Sequence, residues 1–210
     1  KTIYCSNKES ILKSANIFTK PFITKHNRGG KGLGVKLFNS KKELDSYVSG
    51  REFEPSIDGI TLLQEYIDAS PKVIKRVEFV NSKFLYTVEV DASEGFELCP
   101  ACPDDQNDMP EEQIAGEFCP TSGNKFKILK NYNNDELIKK YEKFIAANGI
   151  EIVGIEYIVD KKGEVYTYDV NTNTNYNSQA EKNSEIKGMS SIAKFLKEEL
   201  LLLSNIKVVA

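Results

Sequence analysis

Two stretches of the chain can close only on themselves. Val73 to Val80 and Lys83 to Asp91 are rich in β-branched and aromatic residues and are separated by Asn81-Ser82 alone. Glu151 to Val159 and Glu164 to Val170 flank Asp160-Lys161-Lys162-Gly163 in the same way. Two-residue and four-residue connections of this composition make tight turns between antiparallel strands and cannot carry the crossover that a parallel pair needs. Helical patterns are few and do not alternate singly with strands, so the order of elements predicts an α+β fold built on antiparallel sheets.

The remaining elements are read from their termini. Ser6-Asn7-Lys8-Glu9 predicts a capping box, with Ser6 as the cap, opening a helix to about Phe18. Ser40-Lys41-Lys42-Glu43 predicts a second, opening a helix to about Val48. Lys20 to Lys25, Val35 to Phe38 and Ile60 to Tyr66 read as strands. Asn134 caps a helix through about Asn148 with Gly149 as its stop, and Met189 to Leu203 has apolar residues at helical spacing. The 210 residues suffice for one sizeable domain or two lobes, here expected as 1–64 and 65–210.

Charge is unevenly placed. The net charge of -3 averages a segment, Ser10 to Lys42, with eight bases and no acid, and a segment, Phe84 to Asn124, with ten acids and no base. That balance argues against a nucleic-acid partner, and no apolar run reaches the roughly 18 residues of a membrane span. Four cysteines with no signal peptide and no Asn-Xaa-Ser/Thr sequon fit a reducing, cytoplasmic setting. The single histidine, His26, leaves no multi-histidine metal site.

Within the basic segment, Arg28-Gly29-Gly30-Lys31-Gly32-Leu33-Gly34 joins two strands. Glycine lets backbone amides approach a ligand without a Cβ in the way, so such a loop either cradles phosphate oxygens or is a hairpin tip with solvated lysines. The spacing is neither that of a P-loop nor of a dinucleotide fingerprint. In the second hairpin, Glu156 interrupts the apolar run Ile152 to Val159. If the turn is centred between Lys161 and Lys162, Glu156 lies opposite Thr167 and Gly154 opposite Asp169, which places Glu156, Asp169 and Asn171 on one face. Two carboxylates on one face repel unless a cation sits between them, and an all-oxygen set suits magnesium. The other reading is the polar outer face of a ribbon. In the acidic segment, 92–124, Cys99-Pro100-Ala101-Cys102 and Cys119 have roughly the spacing of zinc knuckles but lack a fourth thiolate, so zinc, a redox pair and a plain covering loop all stay open.

Taken in chain order, these pieces resemble the ATP-grasp superfamily, and within it the RimK-like branch of carboxylate–amine or carboxylate–thiol ligases. Pro21-Phe22-Ile23-Thr24-Lys25 with the glycine loop is similar to the family's strand lysine and phosphate loop. Leu63-Gln64-Glu65-Tyr66-Ile67 resembles the adenine-holding hinge, Arg76-Val77-Glu78-Phe79-Val80 the arginine-bearing hairpin, and Val153-Gly154-Ile155-Glu156 with Asp169-Val170-Asn171 the paired metal-ligand motifs. Here Glu and Asp are exchanged relative to the family's usual order.

The resemblance implies two α+β lobes with antiparallel sheets clasping ATP. Phosphates would be held by Lys25, Arg28, Gly29, Gly30, Lys31 and Gly32, and adenine by Gln64, Glu65, Tyr66 and Ile67. Magnesium, with manganese as a substitute, would be held by Glu156, Asp169 and Asn171, and Arg76 would be catalytic. Small-molecule or peptide carboxylates and amines would be the substrates, joined through an acyl phosphate. A nucleotide-binding module without turnover is the alternative. The family's N-terminal domain has no counterpart in the sequence, which implies the ATP-binding core of a longer protein.

Overall fold

The computed structural model describes residues 1–29, 34–93, 95, 126–130, 132–182 and 184–206. They divide into two compact units, one of Lys1–Asp68 with Gly95 and one of Ala69–Ser93 with the described residues from 126 to 206.

The first unit is a four-stranded antiparallel sheet in the order β1-β4-β2-β3, with β1 Thr2–Cys5, β2 Phe22–His26, β3 Lys36–Phe38 and β4 Thr61–Glu65. Two helices, α1 Lys8–Ser14 and α2 Lys41–Ser49, cover one face and bury Ile11, Phe22, Phe38, Leu44, Val48 and Leu63. A 3-10 turn, Ala15–Ile17, extends α1 to the expected length. Its cap is Asn7 and not Ser6: the Asn7 carboxamide accepts from the Ser10 amide, and the Ser10 hydroxyl accepts from the Asn7 amide. Serine at the third helical position closes the box that Glu9 was expected to close. Ser40 caps α2 as its sequence predicts, accepting from the Glu43 amide.

The second unit is a five-stranded antiparallel sheet in the order β7-β6-β5-β8-β9, with β5 Val73–Val80, β6 Lys83–Asp91, β7 Phe126–Ile128, β8 Ile152–Val159 and β9 Val165–Asn171. Asn81 and Ser82 both take positive φ, 55° and 54°, the backbone of a type I′ turn whose twist suits a two-residue hairpin. The helix α3, Asp135–Ala147, is capped by Asn134 and lies on one face. There it buries Ile138, Tyr141 and Ile145 against Val77, Phe79, Val153, Ile155 and Tyr157. The last helix, α4, spans Gly188–Ile206. Among the described residues, no helix is long and apolar enough to cross a membrane.

The register of the β8–β9 hairpin corrects the one read from the sequence. Tyr157 faces Thr167, and Glu156 faces Asp169 directly. The turn sets the ladder one residue away from the expected pairing, which alone would turn Asp169 toward α3. A bulge at Tyr168 then inserts one extra residue and moves the ladder by one more. A two-residue change keeps every side chain on its face, so Glu156, Asp169 and Asn171 do share one.

Candidate functional site

Because side chains alternate along a strand, the residues between those packed on α3 project from the opposite face of the second sheet. Cross-strand pairing orders them into two rows. The first runs Val88, Arg76, Glu156, Asp169 and the second Tyr86, Glu78, Gly154, Asn171.

Arg76 and Glu78 form the buried part of this face, with 6% and 0% of their surface exposed. They sit two residues apart on β5 and pair at 2.6 Å, Arg76 Nε to Glu78 Oε1. Arg76 Nη2 donates to the Asn175 carbonyl at 2.7 Å, and the Thr174 hydroxyl lies 3.0 Å from both oxygens of Glu78. Burial pushes the Glu78 carboxyl above its ordinary range, against the opposing pull of Arg76 and the Thr174 hydrogen bond. Gly154 has no side chain for a local reason. A Cβ there would stand 3.0 Å from Glu78 Oε2 and from Thr174 Oγ1, and 3.3 Å from Arg76 Cδ. The pair and the segment after Asn171 therefore fill the space over β8.

Beside the pair, Glu156 and Asp169 are adjacent carboxylates on neighbouring strands, with Asn171 two residues along β9. The Tyr168 hydroxyl donates to Glu156 Oε2 at 2.9 Å. Burial, then the neighbouring Glu156, hold that phenol well above its usual range. At the other end of the face, the Tyr86 hydroxyl and the Gly188 amide both donate to the buried Glu181 carboxylate. Among the described residues, no three or more His, Cys, Asp or Glu side chains gather to form a metal cage. Two carboxylates and an amide instead fit an oxygen-seeking cation that takes its other ligands from water or phosphate, the habit of magnesium. These residues fit that ion.

In the first unit, Lys25 and Gln64 lie on the sheet face turned away from α1 and α2, since Phe22 and Leu63 face the helices. Gln64 Nε2 donates to Thr2 Oγ1 at 2.9 Å. Glu65 points to the other face and pairs with the N-terminal ammonium at 3.5 Å and Lys20 at 3.9 Å. Tyr66 and Ile67 follow β4 directly, and the Tyr66 amide donates to the Pro21 carbonyl. Arg28 and Gly29 are exposed beyond the end of β2. Gly30, Lys31 and Gly32 lie outside the described residues, as do Cys99, Cys102 and Cys119.

Both flanks of the glycine loop are fastened. Asn27 Nδ2 donates to Asp58 Oδ2 at 2.7 Å, while Ser56 Oγ and the Ile60 amide donate to Asp58 Oδ1 at 2.7 and 3.0 Å. These donors, Asn27 first, hold the Asp58 carboxyl down at about 2. His26 lies 2.9 Å from the Glu54 carbonyl, so its Nε2 carries the proton it donates there. Its ring covers Gly34, where φ is 75° and a Cβ would meet the ring at 2.7 Å.

No family model matches the chain, and no curated protein matches it. Solved structures do. PsnB, an ATP-grasp ligase complexed with a minimal precursor, superposes with a TM-score of 0.59 at 11% identity over 95% of this chain and 54% of its own. An ATP-grasp ligase from Chryseobacterium gregarium, associated with ribosomally made peptides (RiPPs) and complexed with ADP and a leader and core peptide, gives 0.57 at 16% identity, covering 95% and 54%. D-alanyl-alanine synthetase A from Vibrio cholerae gives 0.59 at 14% identity, covering 96% and 60%. The chain has the ATP-grasp fold and spans a little over half the length of these enzymes.

Two measurements test the site's electrostatics. Arg76→Met should lower unfolding free energy by about 3 kcal/mol, because it strands a buried carboxylate. Arg76→Met/Glu78→Gln should lose at least about 1 kcal/mol less than the sum of the single losses. Additive losses in urea unfolding would contradict the pairing. Asp58 titrates lower folded than unfolded, so its contribution is complete above about pH 4 and is lost as pH falls toward 2. The urea midpoints of wild type and Asp58→Asn should differ at pH 7 and converge over that window; curves that stay parallel would contradict the clasp.

Proposed function

We propose that this chain is the ATP-binding core of a ligase of the RimK-like branch, joining a carboxylate to an amine or thiol at the expense of ATP. The observation that carries the reading is the row Arg76, Glu156, Asp169 on a sheet with the ATP-grasp fold: one buried cation beside two adjacent carboxylates. Two acids side by side across a ladder repel, and a bound divalent cation would offset that repulsion. That PsnB was solved with Mg and ADP supports the same cation here.

In this reading, Glu156, Asp169 and Asn171 hold magnesium, which neutralises phosphate charge when bound. Lys25, Arg28, Lys31 and the amides of Gly29, Gly30 and Gly32 hold the phosphates, and Gln64 to Ile67 hold adenine. The substrate carboxylate attacks the γ-phosphorus, the bond from that phosphorus to the β–γ bridging oxygen breaks, and ADP leaves. An acyl phosphate results. An amine or thiol then attacks its carbonyl carbon, loses a proton, and inorganic phosphate departs. Such chemistry needs charge held in place more than it needs a protein nucleophile. Arg76 supplies that charge: its Nε is ion-paired with Glu78 at 2.6 Å and its Nη2 donates to the Asn175 carbonyl, which fixes the guanidinium on this face. Peptide or small-molecule carboxylates and amines are the proposed substrates, as the peptide complexes of the Chryseobacterium enzyme support.

Calorimetry with Mg-ATP checks the reading. Binding is expected in wild type, and Lys25→Ala and Asp169→Asn are each expected to weaken it about tenfold, near 1.4 kcal/mol. Wild-type affinity in both variants would contradict the assignment.

A further inference from the structure

The face of the second sheet that carries α3 holds two charges that the site above does not use. Val77 and Phe79 face α3, so Lys75, two residues earlier on β5, lies on the same face. The ladder sets it opposite Glu89 on β6 and Tyr157 on β8. Both charged residues are half-buried. Residues directly opposite on a ladder are close enough for long side chains to meet. Yet among the described residues Lys75 and Glu89 make no ion pair with each other and no side-chain hydrogen bond. They line one cavity of about 150 Å3 instead, with Pro71, Val73, Ile158 and Val159 as its apolar walls. The Tyr157 hydroxyl, which also borders it, is already bonded to that of Tyr132 at 2.9 Å.

Half-burying two opposite charges without joining them leaves each short of a partner. A ligand that carries one charge of each sign supplies both. A cavity of this size accommodates a benzene molecule, so its occupant has about six non-hydrogen atoms. Alanine, with a carboxylate and an ammonium, is a molecule of that size. We propose that this cavity binds a small zwitterionic α-amino acid, its carboxylate on Lys75 and its ammonium on Glu89. The apolar walls suit a short aliphatic side chain, and a few convergent polar groups in an apolar hollow are the usual make-up of a small-molecule site. The cavity belongs to the face opposite Arg76, Glu156 and Asp169, so the inference stands apart from the nucleotide reading.

Nuclear magnetic resonance titration of the full chain with L- or D-alanine, without nucleotide or metal, tests the inference. Saturable shifts are expected, largest at the amides of Val73, Lys75, Glu89 and Ile158. Propionate, which lacks the ammonium, and ethylamine, which lacks the carboxylate, should each bind at least about tenfold more weakly, as the loss of one charge-assisted hydrogen bond implies. Lys75→Met and Glu89→Gln should each weaken alanine binding by a similar factor. Lys127→Met is the control: Lys127 faces Glu89 from β7 but does not border the cavity, and affinity should stay within about twofold of wild type. The comparison of ligands uses wild type alone, so it decides the matter should a variant not fold. No saturable shift with either alanine, equal binding of propionate or ethylamine, wild-type affinity in either cavity variant, or shifts centred on Asn171 and Thr174 would overturn the inference. An equal loss in Lys127→Met would mark a general attraction of charge and overturn it too. Each of these results leaves nucleotide binding, which the calorimetry above reads, untouched.

Discussion

The ion pair between Arg76 and Glu78 is the constraint around which the second unit is arranged. Two charges taken out of water cost several kcal/mol each, and only close pairing with further hydrogen bonds offsets that cost. Here the offset comes from afar in sequence: Asn175 supplies a carbonyl to Arg76 and Thr174 a hydroxyl to Glu78. The pair therefore fixes where the chain runs after β9. It also favours glycine at 154, since a Cβ there would stand only 3.0 Å from the Glu78 carboxylate. The neighbouring acids, Glu156 and Asp169, sit next to a guanidinium that has been made rigid by its own partners.

Much of this was legible in the sequence, and the reasons for success and failure are local. The hairpins of β5 with β6 and β8 with β9 follow from turn residues and β-branched runs, and the bounds of β5 and β6 match their apolar patterns. The short strands Thr2–Cys5 and Phe126–Ile128 were missed because four and three residues carry too little periodicity. The cap of α1 moved by one residue because Ser6 and Asn7 are both competent caps, and Ser10 decides between them only once the helix is formed.

The hairpin carrying the acids is the instructive case. The face of Glu156, Asp169 and Asn171 came out as expected although the pairing did not, because a turn offset of one and a bulge of one add to a two-residue change, which restores the face. No rule of alternation reports a bulge, so Tyr168 had no sequence signal. Glu78 did have one: a carboxylate inside Val77 to Val80, two residues from an arginine, calls for a partner by the same argument that singled out Glu156. Thr174 and Asn175, 96 and 99 residues from their partners, had none. Likewise the Asn27–Asp58 bond spans 31 residues and joins two segments that each read as loop.

The central claim is that the row of Glu156, Asp169 and Asn171 binds a divalent cation together with nucleotide. Paramagnetic broadening of backbone amides by Mn2+, with and without an ATP analogue, tests it most directly. At the lowest Mn2+ ratio and with nucleotide present, amides at Gly154, Glu156, Asp169 and Asn171 should broaden first, while those of Ile138 and Ile145 on the α3 face keep their width. Broadening that begins elsewhere, or that ignores the nucleotide, would contradict the claim.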